Sequence, residues 1–178
     1  SWILIMVLEF ALALPAHAQM GKRVDLHAGS PEDKALSQIN AAKDPAQKLA
    51  LIDKFLADFG QSDMAIVAYE LYISTYLAQK NYDKVFESGD KLLAIDPNDF
   101  SAVVNLVRAA QEKGDQEKLF GLGEKAGAIV AGYKARPAPE GRDASSWELE
   151  KTRVLEDARD NITYVEYTLF SAGYQASE

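Results

Sequence analysis

The sequence predicts an all-α protein built as a row of helical hairpins, and three observations carry that expectation. From Ser30 onward apolar residues recur three and four apart, the spacing of one buried helix face. Gly, Pro and Asn are confined to joints only a few residues long. No stretch alternates apolar and polar residues with β-branched enrichment, so no sheet is predicted. Helices of this length joined so briefly must run antiparallel to their neighbours.

Ser30-Pro31-Glu32-Asp33 supplies a capping hydroxyl, a proline at the first helical position and acids facing the positive helix end. Ala35, Leu36 and Ile39 form the apolar face of this first helix. Asp44-Pro45 opens the second helix in the same way, with Leu49, Ile52, Phe55, Leu56 and Phe59 as its stripe and Gly60 as a left-handed stop. The spacing then predicts helices over about 64–79, 82–95, 100–113 and 116–133. Residues 134–142, "KARPAPEGR", carry two prolines and a glycine and are read as a loop. Beyond it, Ser145 to Glu148 fits a capping box, and Leu155, Ala158, Ile162, Val165 and Leu169 step along one long final helix within 143–178, with Asp160-Asn161 its weakest point.

The N-terminal segment reads differently. Residues 1–18, "SWILIMVLEFALALPAHA", are an apolar run ending in Ala16-His17-Ala18, the small-residue pattern of a signal-peptidase site, which places cleavage before Gln19 and a polar lead-in over 19–29. Glu9 interrupts the run, and Trp2 to Leu14 is shorter than the ~20 apolar residues a spanning helix needs. The expectation is an exported chain, periplasmic or secreted, with no stable membrane insertion once the signal is removed; the alternatives are an uncleaved anchor and a buried core segment. Ser1 in place of an initiator Met puts the basic start of such a signal upstream. Cleavage leaves 19 positive and 26 negative residues, a formal charge of −7. With that charge and no basic cluster, no nucleic-acid partner is expected, because phosphate binding needs grouped Lys and Arg. The absence of cysteine excludes disulfides and thiolate metal sites.

Residues 66–99 resemble a tetratricopeptide repeat, the 34-residue helix-turn-helix unit. Ala68 and Tyr69 match its small-then-aromatic start, Tyr76 its second aromatic, Asn81-Tyr82-Asp83 its turn, and Leu92-Leu93 with Ile95-Asp96-Pro97-Asn98 its close. Tyr72 and Ile73 stand where the family places Leu-Gly. Residues 100–133 resemble a second copy in register through Asn105-Leu106, Gly114-Asp115 and Ala126, with Ala110 standing where a large residue is usual, and 30–63 resemble a degenerate copy. Tyr167, Phe170, Ser171 and Tyr174 resemble a further first helix that never receives its partner, so the chain is read as ending within a repeat. The resemblance implies an α-solenoid over 30–133 whose concave wall is made of first helices. It further implies a non-catalytic scaffold that binds a peptide segment or partner protein along Val67, Glu70, Ser74, Leu77, Ser101, Val104, Asn105, Arg108 and Gln111. Asn105 would bond an extended backbone and Arg108 a carboxylate, while Glu70 stands where a carboxylate-gripping groove needs a base. The alternative is a structural subunit of an envelope assembly, docked through the C-terminal helix.

Catalytic groups are scarce. His17 leaves with the signal and His27 lies alone in the lead-in, so no catalytic residue, metal or cofactor is expected. "GLGEKAG", residues 121–127, lacks the preceding strand that a dinucleotide loop requires. Gly121, Gly123, Gly127 and Gly132 in one helix mean either close packing or a surface that yields to a partner. Tyr69, Tyr72 and Tyr76 are read as core packing, and the opposite-sign pairs among Glu148, Glu150, Lys151, Arg153, Glu156 and Arg159 as a solvated face.

Overall fold

Helix starts follow capping chemistry along almost the whole chain. In the computed structural model, which describes residues 20–175, all regular structure is helical. The order is α1 (Pro31–Ala41), α2 (Pro45–Phe59), α3 (Met64–Ala78), α4 (Tyr82–Ile95), α5 (Phe100–Lys113), α6 (Gln116–Ala135), α7 (Ala144–Asp157) and α8 (Arg159–Gln175). Ser30, Asp44, Asn81, Asp99, Asp115 and Asp143 each accept the backbone N–H three residues on, satisfying a donor that the helix itself leaves free. At α3 the preceding Ser62 hydroxyl takes the Met64 N–H instead. None of the helices among the described residues is long and apolar enough to cross a membrane. The expected signal segment and its cleavage point lie outside the described residues.

Three local expectations are corrected. Gly60 has φ −69° and ψ −5°, ordinary helical values. A glycine fits there because a Cβ would collide with the Leu56 carbonyl and side chain. Among the described residues, left-handed backbone occurs instead at Gly114, φ 75°, which closes α5, at Lys80, φ 56°, between α3 and α4, and in the loops at Gly29 and Gly141. The cap of α7 is Asp143, two residues before the expected capping box. The single long helix expected over 143–178 is two, parted at Ala158 rather than at Asp160-Asn161.

That last break follows from packing. Trp147 and Val154 of α7 are buried, with Trp147 set against Tyr133 at 6.2 Å between rings. The Trp147 indole N–H and the Lys151 ammonium both donate to the Arg136 carbonyl, and Lys151 also donates to Lys134 O at 3.0 Å. Lys151 therefore caps the C-terminal end of α6, where a cation meets unpaired carbonyls and the negative end of the dipole. It forms the expected ion pair with Glu148, but on a buried side chain, so this face of α7 is not wholly solvated. With α7 committed to the end of α6 and α8 to the flanks of α5 and α6, the chain must turn between them.

Consecutive helices from α1 to α6 pack on one another, α3 also touches α5, and α8 touches α6 and α5. The core consequently forms three adjoining clusters rather than one centre. Helix α3 serves two of them: Met64, Ala68 and Tyr72 face α1 and α2, while Ile66 and Ile73 join Val85 and Leu92 of α4. Helix α5 does the same, with Ala102, Leu106 and Ala109 on one side and Phe100, Val103, Val104, Val107 and Ala110 on the other. Gly89 of α4 lies against the Leu106 side chain of α5, so closely that a Cβ there would clash, and Gly123 of α6 lies in the same way against Leu169 of α8. Gly121, Gly127 and Gly132 face open space. Close packing thus accounts for one of the four glycines of α6.

Two stability measurements follow. In denaturant unfolding, Gly127→Ala and Gly132→Ala should each stabilise the protein by about 0.5–1 kcal/mol, because both sites have room and helical backbone, whereas Gly123→Ala should destabilise it by pushing Leu169 off α6. The Thr168 hydroxyl is buried without a hydrogen-bond partner. Thr168→Val should raise stability by roughly 1 kcal/mol, and a lower unfolding midpoint would show that the hydroxyl is paired.

Candidate functional site

The residues expected to line a concave wall lie on α3 and α5, and the two helices touch. Ser74, Ser101, Arg108 and Gln111 are exposed, and Val67, Glu70, Leu77 and Asn105 are partly exposed. Val104 is 3% exposed and belongs to the buried cluster of α5 and α6, so it supports the wall from behind and offers no surface to a partner. The reason is steric: α5 is apolar around most of its circumference, and Val104 joins a cluster that draws on α6, α7, α8 and Met20.

At the α5 end, the structure gives two of these residues a neighbour in the chain. The Arg108 guanidinium lies 5.4 Å from the centre of the Tyr164 ring of α8, and the Tyr164 hydroxyl donates to Gln111 Oε1 at 2.6 Å. A guanidinium over an aromatic face is held by the ring quadrupole while keeping its outer N–H groups free. Arg108 and Gln111 are thereby held on α8, leaving Asn105 between them and the acidic end of the wall.

That acidic end was not foreseen as a unit. Asp96 and Asp99, in the joint between α4 and α5, are 3% and 6% exposed. Asp96 accepts the Lys22 and Asn98 backbone N–H groups and Asp99 the Ala102 N–H. Burial raises the Asp99 carboxyl above its ordinary range, with the Asp96 charge adding to the effect. Glu70 is pushed from 4.5 to about 7, first by desolvation and then by the charges of Asp99 and Asp96.

The lead-in expected to be polar and peripheral is the second unforeseen feature. Met20 is 2% exposed, inside the cluster that joins α5, α6, α7 and α8. From there the chain runs without regular secondary structure through Leu26. Gly21 packs so tightly on Asp96 and Asp99 that no side chain fits, and the Lys22 ammonium reaches Asp63 at 3.5 Å. Val24 packs on the two clusters that share α3, and Leu26 on the cluster of α1 to α3. Arg136 donates to the Met20 carbonyl. Met20, Val24 and Leu26 turn inward while Lys22, Arg23 and Asp25 are exposed. The sequence signal was present in Met20, Val24 and Leu26, but three apolar residues among charged ones give no helical period. His27 is exposed, as expected. Among the described residues no group of three or more His, Asp or Glu side chains is arranged to hold a metal ion.

The Glu70 shift has a thermodynamic sign. Between its ordinary value of 4.5 and about 7 the folded protein holds a proton that the unfolded chain has lost, so stability falls as pH rises through that window and levels off above it. Glu70→Gln should flatten the stability–pH curve between pH 5 and 8, with a gain of roughly 2 kcal/mol at pH 8. Equal pH dependence in both proteins, measured by urea unfolding, would place the proton elsewhere.

Comparison of the chain with protein-family models, with curated proteins and with solved structures yields no match.

Proposed function

We propose that this protein is a non-catalytic interaction scaffold, an α-solenoid of tetratricopeptide-like hairpins, that holds an extended segment of a partner protein along the wall formed by α3 and α5. The observation that carries this reading is the chain's own segment 20–26. It is a non-helical peptide seated by Met20, Val24 and Leu26 and by a backbone N–H bond to Asp96. A surface that seats one irregular peptide in this manner has the chemistry to seat a further one. Successive hairpins that share α3 and α5 between neighbouring clusters support the solenoid reading. The apolar segment 1–18 motivates export, and an envelope partner with it.

The wall also defines the partner's chemistry. Asp63 and Glu70 line one end, where the Lys22 ammonium of the chain itself reaches Asp63, and the buried Asp96 and Asp99 add negative charge behind them. Toward α8 the surface offers Ser74, Leu77, Asn105, Arg108 and Gln111. A segment with basic residues toward the acidic end, and polar groups for Asn105 and Arg108 at the other, fits both. Recognition of a chain terminus by its carboxylate does not fit, because Glu70 occupies the position where a cation is needed.

A second reading has one specific observation in its favour. Tyr167 and Phe170 of α8 are 70% and 73% exposed, an aromatic pair on one helix face. This suits a structural subunit that docks through α8.

The test of the first reading is a pull-down from envelope extracts with Asn105→Ala, Arg108→Ala and the double variant. Loss of a partner retained by the unsubstituted chain is expected, with at least a tenfold weaker interaction for the double variant. An unchanged partner set discards the wall as the binding surface.

A further inference from the structure

Residues 20–26 touch all three core clusters without belonging to a helix: Met20 the cluster that α5 shares with α6, Val24 the two that share α3, and Leu26 that of α1 to α3. The seat is specific at each point. Met20 is fully enclosed. A Cβ at Gly21 would overlap the Asp96 carboxylate and come within 3.1 Å of the Asp99 Cα, so glycine fits there and a larger residue does not. One Asp96 oxygen accepts the Asn98 N–H of its own turn, and the other accepts the Lys22 N–H. The acidic end of the wall is therefore already occupied.

The occupant is lightly held. Met20 is its one fully buried side chain; Val24 and Leu26 stay partly exposed, and Lys22, Arg23 and Asp25 face water. Among the described residues the segment makes no backbone–backbone hydrogen bond. Arg136 reaches the Met20 carbonyl only at 3.5 Å, the limit of a hydrogen bond, and the Lys22–Asp63 pair at 3.5 Å is exposed and screened. Gly29, φ 78° with nothing within 4 Å of the place of a side chain, joins the segment to α1 and gives it a hinge.

We propose that residues 20–26 are a self-inhibitory strap and that a partner segment binds by taking their place, with an apolar residue in the Met20 site, glycine against Asp96 and Asp99, a backbone N–H for Asp96, and apolar residues where Val24 and Leu26 lie. This rests on the reading of α3 and α5 as a binding wall and adds how access to it is controlled. Two segments cannot share the seat, because the space at Asp96 and Asp99 admits a single backbone. The chain's own sequence thus states the pattern a partner must carry.

Two measurements test the strap. By hydrogen exchange in the unsubstituted full chain, the Lys22 amide should be protected at least about a hundredfold less than the Val107 amide of α5, and insensitive to low denaturant, as a local opening requires. Exchange of Lys22 only through global unfolding overturns the proposal. The second measurement uses a fluorescent peptide of residues 20–29, MGKRVDLHAG. Gly21→Val should unseat the strap with unchanged circular dichroism, and that chain should bind the peptide at least about tenfold more tightly than the unsubstituted chain, while a peptide carrying the same valine should bind neither. Equal affinity of both chains for the peptide, no binding to the folded variant, or loss of its helical signal overturns the proposal. The wall fails separately: an unchanged partner set for the Asn105→Ala and Arg108→Ala chains discards it for partners, while peptide binding to the Gly21→Val chain still shows the strap to be exchangeable.

Discussion

The structure depends on two helices, α3 and α5, that are buried on two sides at once. A helix with a single apolar stripe ends a stack, because its other side must remain in water. Helix α5 avoids that limit by placing Ala102, Leu106 and Ala109 toward α4, and Val103, Val107 and Ala110 toward α6. The side chains facing the preceding unit are small except for Leu106, and Leu106 is admitted because Gly89 removes its own side chain from the contact. Burying a leucine in this way is worth about 2 kcal/mol. That is small beside the cost of ordering a hairpin, so contacts between successive helices add up rather than any one pair deciding the fold. The exposed residues of α3 and α5 are what remains after both sides are filled, a narrow strip.

The acidic joint and the lead-in form one arrangement. Asp96 and Asp99 are buried in the turn into α5, where each accepts backbone N–H groups, a use of carboxylate that stabilises the turn and holds negative charge in a poorly solvated place. The lead-in supplies another donor, the Lys22 N–H, and a glycine that lets the chain come close. Glu70 gains no hydrogen bond in this arrangement and bears its electrostatic cost as a raised pKa. Groups with perturbed ionisation cluster at functional surfaces because both need charge held against solvation. Met20 extends the effect, since its burial between α5, α6 and α7 ties the start of the described chain to its C-terminal third.

Much of the helical layout was legible in the sequence. Ser30-Pro31 and Asp44-Pro45 cap as their chemistry requires, and α4 and α5 begin and end where periodicity places them. Local signals set these features, and local signals survive without knowledge of the fold. What sequence could not resolve depends on distant partners. Gly60 looked like a left-handed stop, yet the deciding fact is the position of Leu56. Lys151 looked solvated because its neighbours in sequence are charged, yet the carbonyls it caps belong to α6, more than a dozen residues upstream. Val104 was read as part of a wall from its place in a repeat, while it is buried in a cluster with residues of distant helices. The lead-in was missed because an extended segment pinned by three apolar residues carries no period for a pattern to detect.

The insertion between α6 and α8 shows which interactions direct the assembly. Helices α4 and α5 are joined by a short turn, whereas α6 and α8 are separated by a loop and the whole of α7. Even so, the glycine-on-leucine contact is the same in both places. Connection length therefore does not place α8. The fit of Leu169 over Gly123, with Val165 and Ala172 beside it, does. The same reasoning applies to the side of α8 that carries Tyr167 and Phe170. If packing surfaces rather than chain connections decide which helix lies beside which, that side accepts any helix whose side chains fit the two aromatic rings, whatever the connection to it.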